Sequence, residues 1–407
     1  MIFFKWFFKI SPIRLISPIG PLAQHFRFPR GSRKGGLLLT RTVLYYAHST
    51  GEWNVEKWKK ILRDALHDPA ELAERFQLSA DELRKVGKVF PFRIPRPVLE
   101  RIGSPGDPLF LQCVPDGREL TASGDLLDDP LGEVRFGKEE CIVQKYPDRC
   151  LFLVSGECAM YCRFCTRKRK FRAPFRVGKK QIDEGLAYIR AHKELRDVLI
   201  SGGDPFLLDD DRIEYILKGV RAAEHIRIIR IGTRTPAMLP ERITVRLVRM
   251  LKKYHPLYVN VHFNHPAELT GPAIKALNRL AEAGIPLGSQ TVLLKGVNDD
   301  PEVMRELMWK LLEARVKPYY IFQCDLIYGT EHFRTPLSKG IEIVKALRGW
   351  SSGMANPHFV IDLPRGGGKV PLVPDYLVKA EGRFRTYCNY CGEEYLYPDL
   401  DDTPGKD

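Results

Sequence analysis

The sequence predicts an α/β protein built from repeated strand-then-helix units, and three observations point there. Six apolar runs of strand length recur between residues 150 and 322, each followed by a segment with helical periodicity. The polar residues of chemical interest follow the ends of those runs, where a parallel barrel or an open doubly wound sheet gathers its site. At 407 residues the chain exceeds the size at which one core usually stops growing, so one large domain with additions is expected.

The first 51 residues stand apart. They contain no acidic residue, whereas Lys5, Lys9, Arg14, Arg27, Arg30, Arg33, Lys34 and Arg41 supply eight of the fourteen net positive charges. The remaining 56 basic residues face 50 acidic ones, so the net charge does not mark a nucleic-acid partner. The opening apolar stretch is broken by Lys5, Lys9, Pro12 and Arg14, too soon for a membrane span or a signal h-region. Residues 1–51 are expected to be a basic, disordered extension or a stretch ahead of the true start. Nine cysteines with no secretory signal indicate a reducing, cytoplasmic compartment and no disulfide framework.

Residues 52–147 read as a helical and irregular cap. Apolar positions repeat at helical spacing over residues 55–66, Ser79 with Glu82 makes a capping box, and Pro91, Pro95 and Pro97 end the helical pattern. Residues 103–108 form a turn-rich connector. Residues 148–370 form the main domain, with strands expected at 150–154, 198–200, 226–231, 257–261, 286–294 and 317–322 and helices such as 242–253 and 301–314. A further apolar run at 358–361 precedes a glycine-rich motif, and residues 371–407 are left as a C-terminal tail.

The chemistry begins at Cys158, Cys162 and Cys165, spaced C-x3-C-x2-C. Three thiolates hold three irons of a [4Fe–4S] cube and leave the fourth open to coordinate S-adenosylmethionine. A zinc site would need a fourth ligand nearby, and residues 166–170 contain no Cys, His, Asp or Glu. The motif, with Phe164 before its last cysteine, resembles that of the radical S-adenosylmethionine superfamily. That resemblance implies a partial (β/α)6 barrel, six units being too few for a closed eight-stranded one.

After the second strand stands Ser201-Gly202-Gly203-Asp204, whose glycines let a backbone approach a ligand and whose carboxylate can accept from an ammonium group. Alone it reads equally as a tight strand-to-helix turn. Beside the cysteines it resembles the superfamily's Gly-Gly motif, which meets the amino group of S-adenosylmethionine. His262, after the fourth strand, and Gln290, on the fifth, join the cofactor pocket by position. Gly366-Gly367-Gly368-Lys369 lacks the first glycine and the Ser or Thr of a phosphate loop, having Leu363 and Val370 there. A lysine shown from a flexible glycine loop suits Schiff-base formation with pyridoxal phosphate.

Together with His262-Phe-Asn-His-Pro266, Gly296-Val-Asn-Asp299, Gln323-Cys-Asp325 and Glu331-His-Phe-Arg-Thr-Pro336, these motifs resemble the lysine 2,3-aminomutase family over residues 148–376. The resemblance implies an isomerase that moves the α-amino group of L-lysine to the β-carbon. It implies that Lys369 carries pyridoxal phosphate, Arg167 holds the substrate carboxylate, and Asp325 and Asp362 clamp the distal ammonium. It also implies a reducing partner such as flavodoxin or ferredoxin; family members are commonly homo-oligomers, but the tie that usually joins them is missing here, which leaves the assembly state open.

The stretch from Phe92 to Pro97 is more like relatives that make β-lysine for modifying elongation factor P, but those lack an aspartate at the position of Asp362. A zinc site joins subunits in some family members. Here Asp300 replaces one of its cysteines and only Cys388 and Cys391 remain near the end, so zinc is disfavoured. The rival readings are an aminomutase for another amino acid, an RNA-modifying radical enzyme and a non-catalytic iron–sulfur carrier.

Overall fold

The computed structural model describes residues 57–121, 124–172 and 175–400. The extension expected over residues 1–51 lies outside them. In the cap, α1 (Pro69–Phe76) and α2 (Ala80–Val89) join the core of the main domain through Leu72, Ala73, Phe76 and Leu83. Only half of the expected capping box forms. Ser79 accepts from Glu82 N at 3.3 Å, but the Glu82 carboxylate accepts from Gly117 N at 2.8 Å and so joins two cap segments. The helical reading of residues 55–66 ends early, because Leu66 leaves the helix to pair with Ile94.

Two short antiparallel strands, β1 (Gly137–Glu139) and β2 (Ile142–Tyr146), open the sheet inside the stretch assigned from sequence to the cap. There follow β3 (Arg149–Ser155), β4 (Asp197–Gly202), β5 (Ile228–Thr233), β6 (Leu257–Val261), β7 (Leu287–Leu293) and β8 (Lys317–Gln323), each parallel to the next. The helices after them are α3 (Lys179–Ala191), α4 (Asp210–Arg221), α5 (Val245–Leu251), α6 (Gly271–Glu282), α7 (Pro301–Glu313) and α8 (Leu337–Leu347). β9 (His358–Leu363) adds in parallel to β8 and turns back as antiparallel β10 (Gly368–Leu372). The ten strands lie in sequence order in one open sheet, a partial (β/α)6 barrel with antiparallel edges.

Period-two alternation explains both the core and the cavity. Val198, Ile200, Ile229, Ile231, Val259 and Val261 point to one face and are buried under the helices. The intervening Ser201, Arg230, Asn260 and Gln290 point the other way and line a cavity. Helix starts are fixed by side-chain caps: Thr244 accepts from Leu247 N at 3.1 Å, Thr270 from Ala273 N at 3.3 Å and Asp300 from Glu302 N at 2.8 Å. Thr244 also explains why the helix expected over 242–253 begins at Val245.

Residues assigned from sequence to a tail form a separate antiparallel sheet of β11 (Leu377–Glu381), β12 (Phe384–Cys388) and β13 (Glu394–Pro398). Among the described residues no helix is long and apolar enough to cross a membrane.

The cap is tied to the loop after β3 by a fully buried ion cluster. Glu119 receives Arg163 Nε and Nη2 at 2.8 and 2.6 Å and Lys168 Nζ at 2.7 Å. Lys168 also donates to the carbonyls of Arg163 and Gly329. Burial alone would raise the Glu119 pKa, but the two cations outweigh it and hold it below the usual carboxylate range. Replacing Glu119 by Gln leaves two cations buried against a neutral amide. The expected loss is about 3–5 kcal/mol of unfolding free energy, read by chemical denaturation under anaerobic conditions.

Candidate active site

Strand ends and loops enclose one cavity of about 950 Å³, at the upper end of the range of roughly 300–1,000 Å³ for small-molecule sites. It is lined by every residue assigned from the sequence to the cluster, the cofactors or the substrate: Cys158, Cys162, Cys165, Arg167, Ser201, Gly202, Gly203, Asp204, His262, Gln290, Asp325, Asp362 and Lys369.

The cysteine loop is held by backbone as well as by Glu119. Tyr161 N donates to Arg93 O at 3.3 Å and Arg163 N to Gln112 O at 3.0 Å, both in the cap. The loop also lies directly on the turn after β4, where Gly203 N and Asp204 N donate to the carbonyls of Ser155 and Glu157 at 2.6 Å each. A Cβ on Gly202 would stand 2.2 Å from Ser155 O, and one on Gly203 would stand 2.3 Å from Glu157 O. These glycines therefore allow close approach of the chain to itself in the wall of the same cavity.

Asp204 requires a correction. Its buried carboxylate accepts from Phe206 N, Thr233 Oγ1, Arg234 N and Thr235 N at 2.7–3.1 Å. It fastens the end of β4 to the end of β5 and is saturated by its own chain, so it is not an open acceptor for a ligand ammonium.

Burial pushes the Cys165 thiol up to about 11 and holds Cys158 well above the ordinary thiol range. A metal centre that takes these sulfurs as thiolates must displace their protons. Among the described residues no three His, Cys, Asp or Glu side chains converge as a single ion requires. One zinc would need sulfurs about 4 Å apart, given Zn–S bonds of about 2.3 Å. Three cysteines on one loop bordering the cavity match the ligand number of an iron–sulfur cube with one open iron.

Beside them Phe164 packs edge-on to Phe333 and lies 5.6 Å from the His262 ring. Burial and then the nearby Arg234 push His262 down to about 3, so it is neutral. Its Nε2 contacts Asn264 Oδ1 at 2.9 Å, an oxygen that also accepts from Val292 N. This assigns the ring proton to Nε2 and leaves Nδ1 as an acceptor.

On the opposite edge of the sheet, β9 and β10 set Lys369 directly across from Asp362. The glycine run is the hairpin turn between them, with Gly366 and Gly368 at φ 85° and 96°. Lys369 thus projects from a strand, where the sequence suggested a flexible loop. Its Nζ lies 2.9 Å from both Asp362 oxygens, and its backbone N donates to Tyr146 Oη at 3.1 Å. Lys145 approaches the same carboxylate at 3.8 Å. Asp325, just past β8, is pushed up to about 6, chiefly by burial, with the Asp362 charge adding to the shift. Lys145, Arg149 and Arg230 line the wall and could receive a phosphate. Asn260 Nδ2 and Gln323 Oε1 are buried there without a protein partner.

The sequence reading missed Glu133. It receives Arg167 Nε at 2.6 Å and Arg169 Nη2 at 2.9 Å, and it fixes the guanidinium expected to hold a carboxylate. Burial opposes its ionisation, but Arg167, Lys170 and Arg169 prevail and keep it charged. No local spacing signals this partner, which comes from 34 residues upstream. Arg234, Gln112 and Glu268 were missed for the same reason.

The chain is similar to known proteins over most of its length. A model of the radical SAM superfamily matches residues 152–308, and a lysine-2,3-aminomutase model matches residues 344–404. L-lysine 2,3-aminomutase of Methanococcus maripaludis is 44% identical over 84% of this chain and 82% of its own length. That of Clostridium subterminale is 45% identical over 83% and 82%. Glutamate 2,3-aminomutase of Clostridioides difficile is 44% identical over 80% and 78%.

Proposed function

The chain belongs to the lysine 2,3-aminomutase family of radical S-adenosylmethionine enzymes, and from that premise we propose that it converts L-lysine to β-lysine. In this reading Cys158, Cys162 and Cys165 hold the [4Fe–4S] cluster and Lys369 carries pyridoxal phosphate. The observation that supports lysine over glutamate is the pairing of Asp325 with Asp362 in one cavity with Arg167. Identity does not separate the two substrates, since relatives named for each are about equally similar. Charge does: two carboxylates favour a substrate cation and repel a second substrate carboxylate.

When bound, the cluster with S-adenosylmethionine supplies a 5′-deoxyadenosyl radical, and pyridoxal phosphate supplies an aldehyde for the migrating amine. The protein's own contribution is position. Arg167, two residues beyond the last cysteine, is braced by Glu133 and orients the substrate carboxylate next to the cluster loop. Asp325 and Asp362 take the far ammonium, which fixes the length of the chain between the two charged ends. Lys369 and a substrate ammonium make the same demand on Asp362, so they compete unless the Lys369 amine is uncharged. Phe164, Val292 and Phe322 in the wall help keep water from reactive carbon.

The assignment is tested by anaerobic incubation of reconstituted protein with S-adenosylmethionine, pyridoxal phosphate, dithionite and either amino acid. β-Lysine is expected as the main product, and faster turnover of glutamate would overturn the substrate assignment. Asp325→Asn or Asp362→Asn each removes a charge-assisted contact of about 1.5–3 kcal/mol, so the KM for lysine should rise about 10- to 150-fold with cluster content unchanged.

Asp325 is ionised above about pH 6 and neutral below it, so lysine binding should weaken as pH falls through that value. The Asp325→Asn protein should lack that step in its KM profile. Borohydride reduction of the pyridoxal phosphate-loaded protein should fix a pyridoxyl group on Lys369, read by peptide mass spectrometry. Its appearance on another lysine, with turnover retained in Lys369→Ala, would remove Lys369 from the role.

A further inference from the structure

Arg234 stands one residue past β5, and its guanidinium is divided among three partners. Nη1 donates to Cys162 Sγ at 2.7 Å, and Nη2 donates to Gln112 Oε1 at 2.6 Å and Glu268 Oε2 at 3.0 Å. Gln112 and Glu268 are wholly buried, and Arg234 itself is a tenth exposed. The other Glu268 oxygen is locked by Asn264 N, His265 N and Gln112 Nε2 at 3.0–3.1 Å. The Arg234 backbone N is fixed in turn by Asp204. The carbon of the guanidinium lies 5.1 Å from the Phe164 ring, in the same motif as the cysteines.

A fork held in this way cannot swing off the sulfur. Neutralising Glu268 would need only a cation, and that need does not account for an N–H aimed at Cys162. Hydrogen bonds to ligand sulfurs and nearby positive charge both favour the more negative, reduced state of an iron–sulfur cluster. We propose that Arg234 is a positioning residue that holds the Cys162 sulfur and raises the reduction potential of the cluster, bringing it within reach of a low-potential one-electron donor. The step concerned is the gain of one electron by the cluster, with no bond made or broken. The inference rests on the reading of the three cysteines as cluster ligands.

The test is a redox titration of the reconstituted holoprotein, followed by electron paramagnetic resonance in the absence of S-adenosylmethionine, with iron and sulfide measured on each sample. Arg234→Met at full iron content should titrate at a more negative potential than wild type. Arg234→Lys, which keeps the charge and loses the fork, should fall between them. If the Met protein does not hold four irons, a negative shift in Arg234→Lys supports the inference and an unmoved potential overturns it. Unmoved potentials combined with loss of the spectral change on adding S-adenosylmethionine would overturn it too and place Arg234 on that cofactor instead. Wild-type protein that forms no such cluster overturns the reading of the cysteines, and the inference with it.

Discussion

One buried carboxylate holds the active site together. Glu119, from a short turn in the cap, accepts both Arg163, which lies between the second and third cysteines, and Lys168, three residues beyond the third. Removing three charges from water is costly, and such clusters are weak evidence of net stability. Glu119 matches both cations at one point and so ties the two sides of the last cysteine to the cap. The same contact makes the cap part of the site, because the loop cannot take this course unless residues 117–120 are docked.

A second set of constraints passes from the loop into the barrel. Gly202 and Gly203 allow the turn after β4 to touch the loop, and Asp204 passes that position to the end of β5. Arg234 then reaches back to Cys162, and Glu268 and Gln112 connect it to the segment after β6 and to the cap. Residues distant in sequence are thereby held against one another by hydrogen bonds, as a site that must keep its groups within about 0.5 Å requires. The far wall is simpler. Cross-strand pairing of β9 and β10 alone sets Lys369 opposite Asp362.

The parts legible in the sequence are those encoded locally. Each parallel strand is an apolar run bounded by turn residues, and the cysteine spacing is a short-range motif, so both could be read directly. β1 and β2 were hidden because their residues are largely exposed or half-buried and carry no continuous apolar run. The glycines before Lys369 were misread because a hairpin turn and a flexible loop use the same residue type. Asp204 was misassigned because a saturated carboxylate and an open one look alike until their donors are known. Glu133, Gln112 and Glu268 carry no local mark, since each meets its partner across a loop or a strand.

The central claim is that the cysteine loop, Arg167 beside it and the Asp325–Asp362 pair across the cavity serve one substrate. It is tested most directly with lysine deuterated at the β-carbon, incubated anaerobically with the reconstituted protein and analysed for label in 5′-deoxyadenosine and S-adenosylmethionine. The account predicts deuterium in both, because lysine held between those charges presents its β-carbon to the radical. Cleavage of S-adenosylmethionine to 5′-deoxyadenosine free of deuterium, with lysine recovered unchanged, would contradict it.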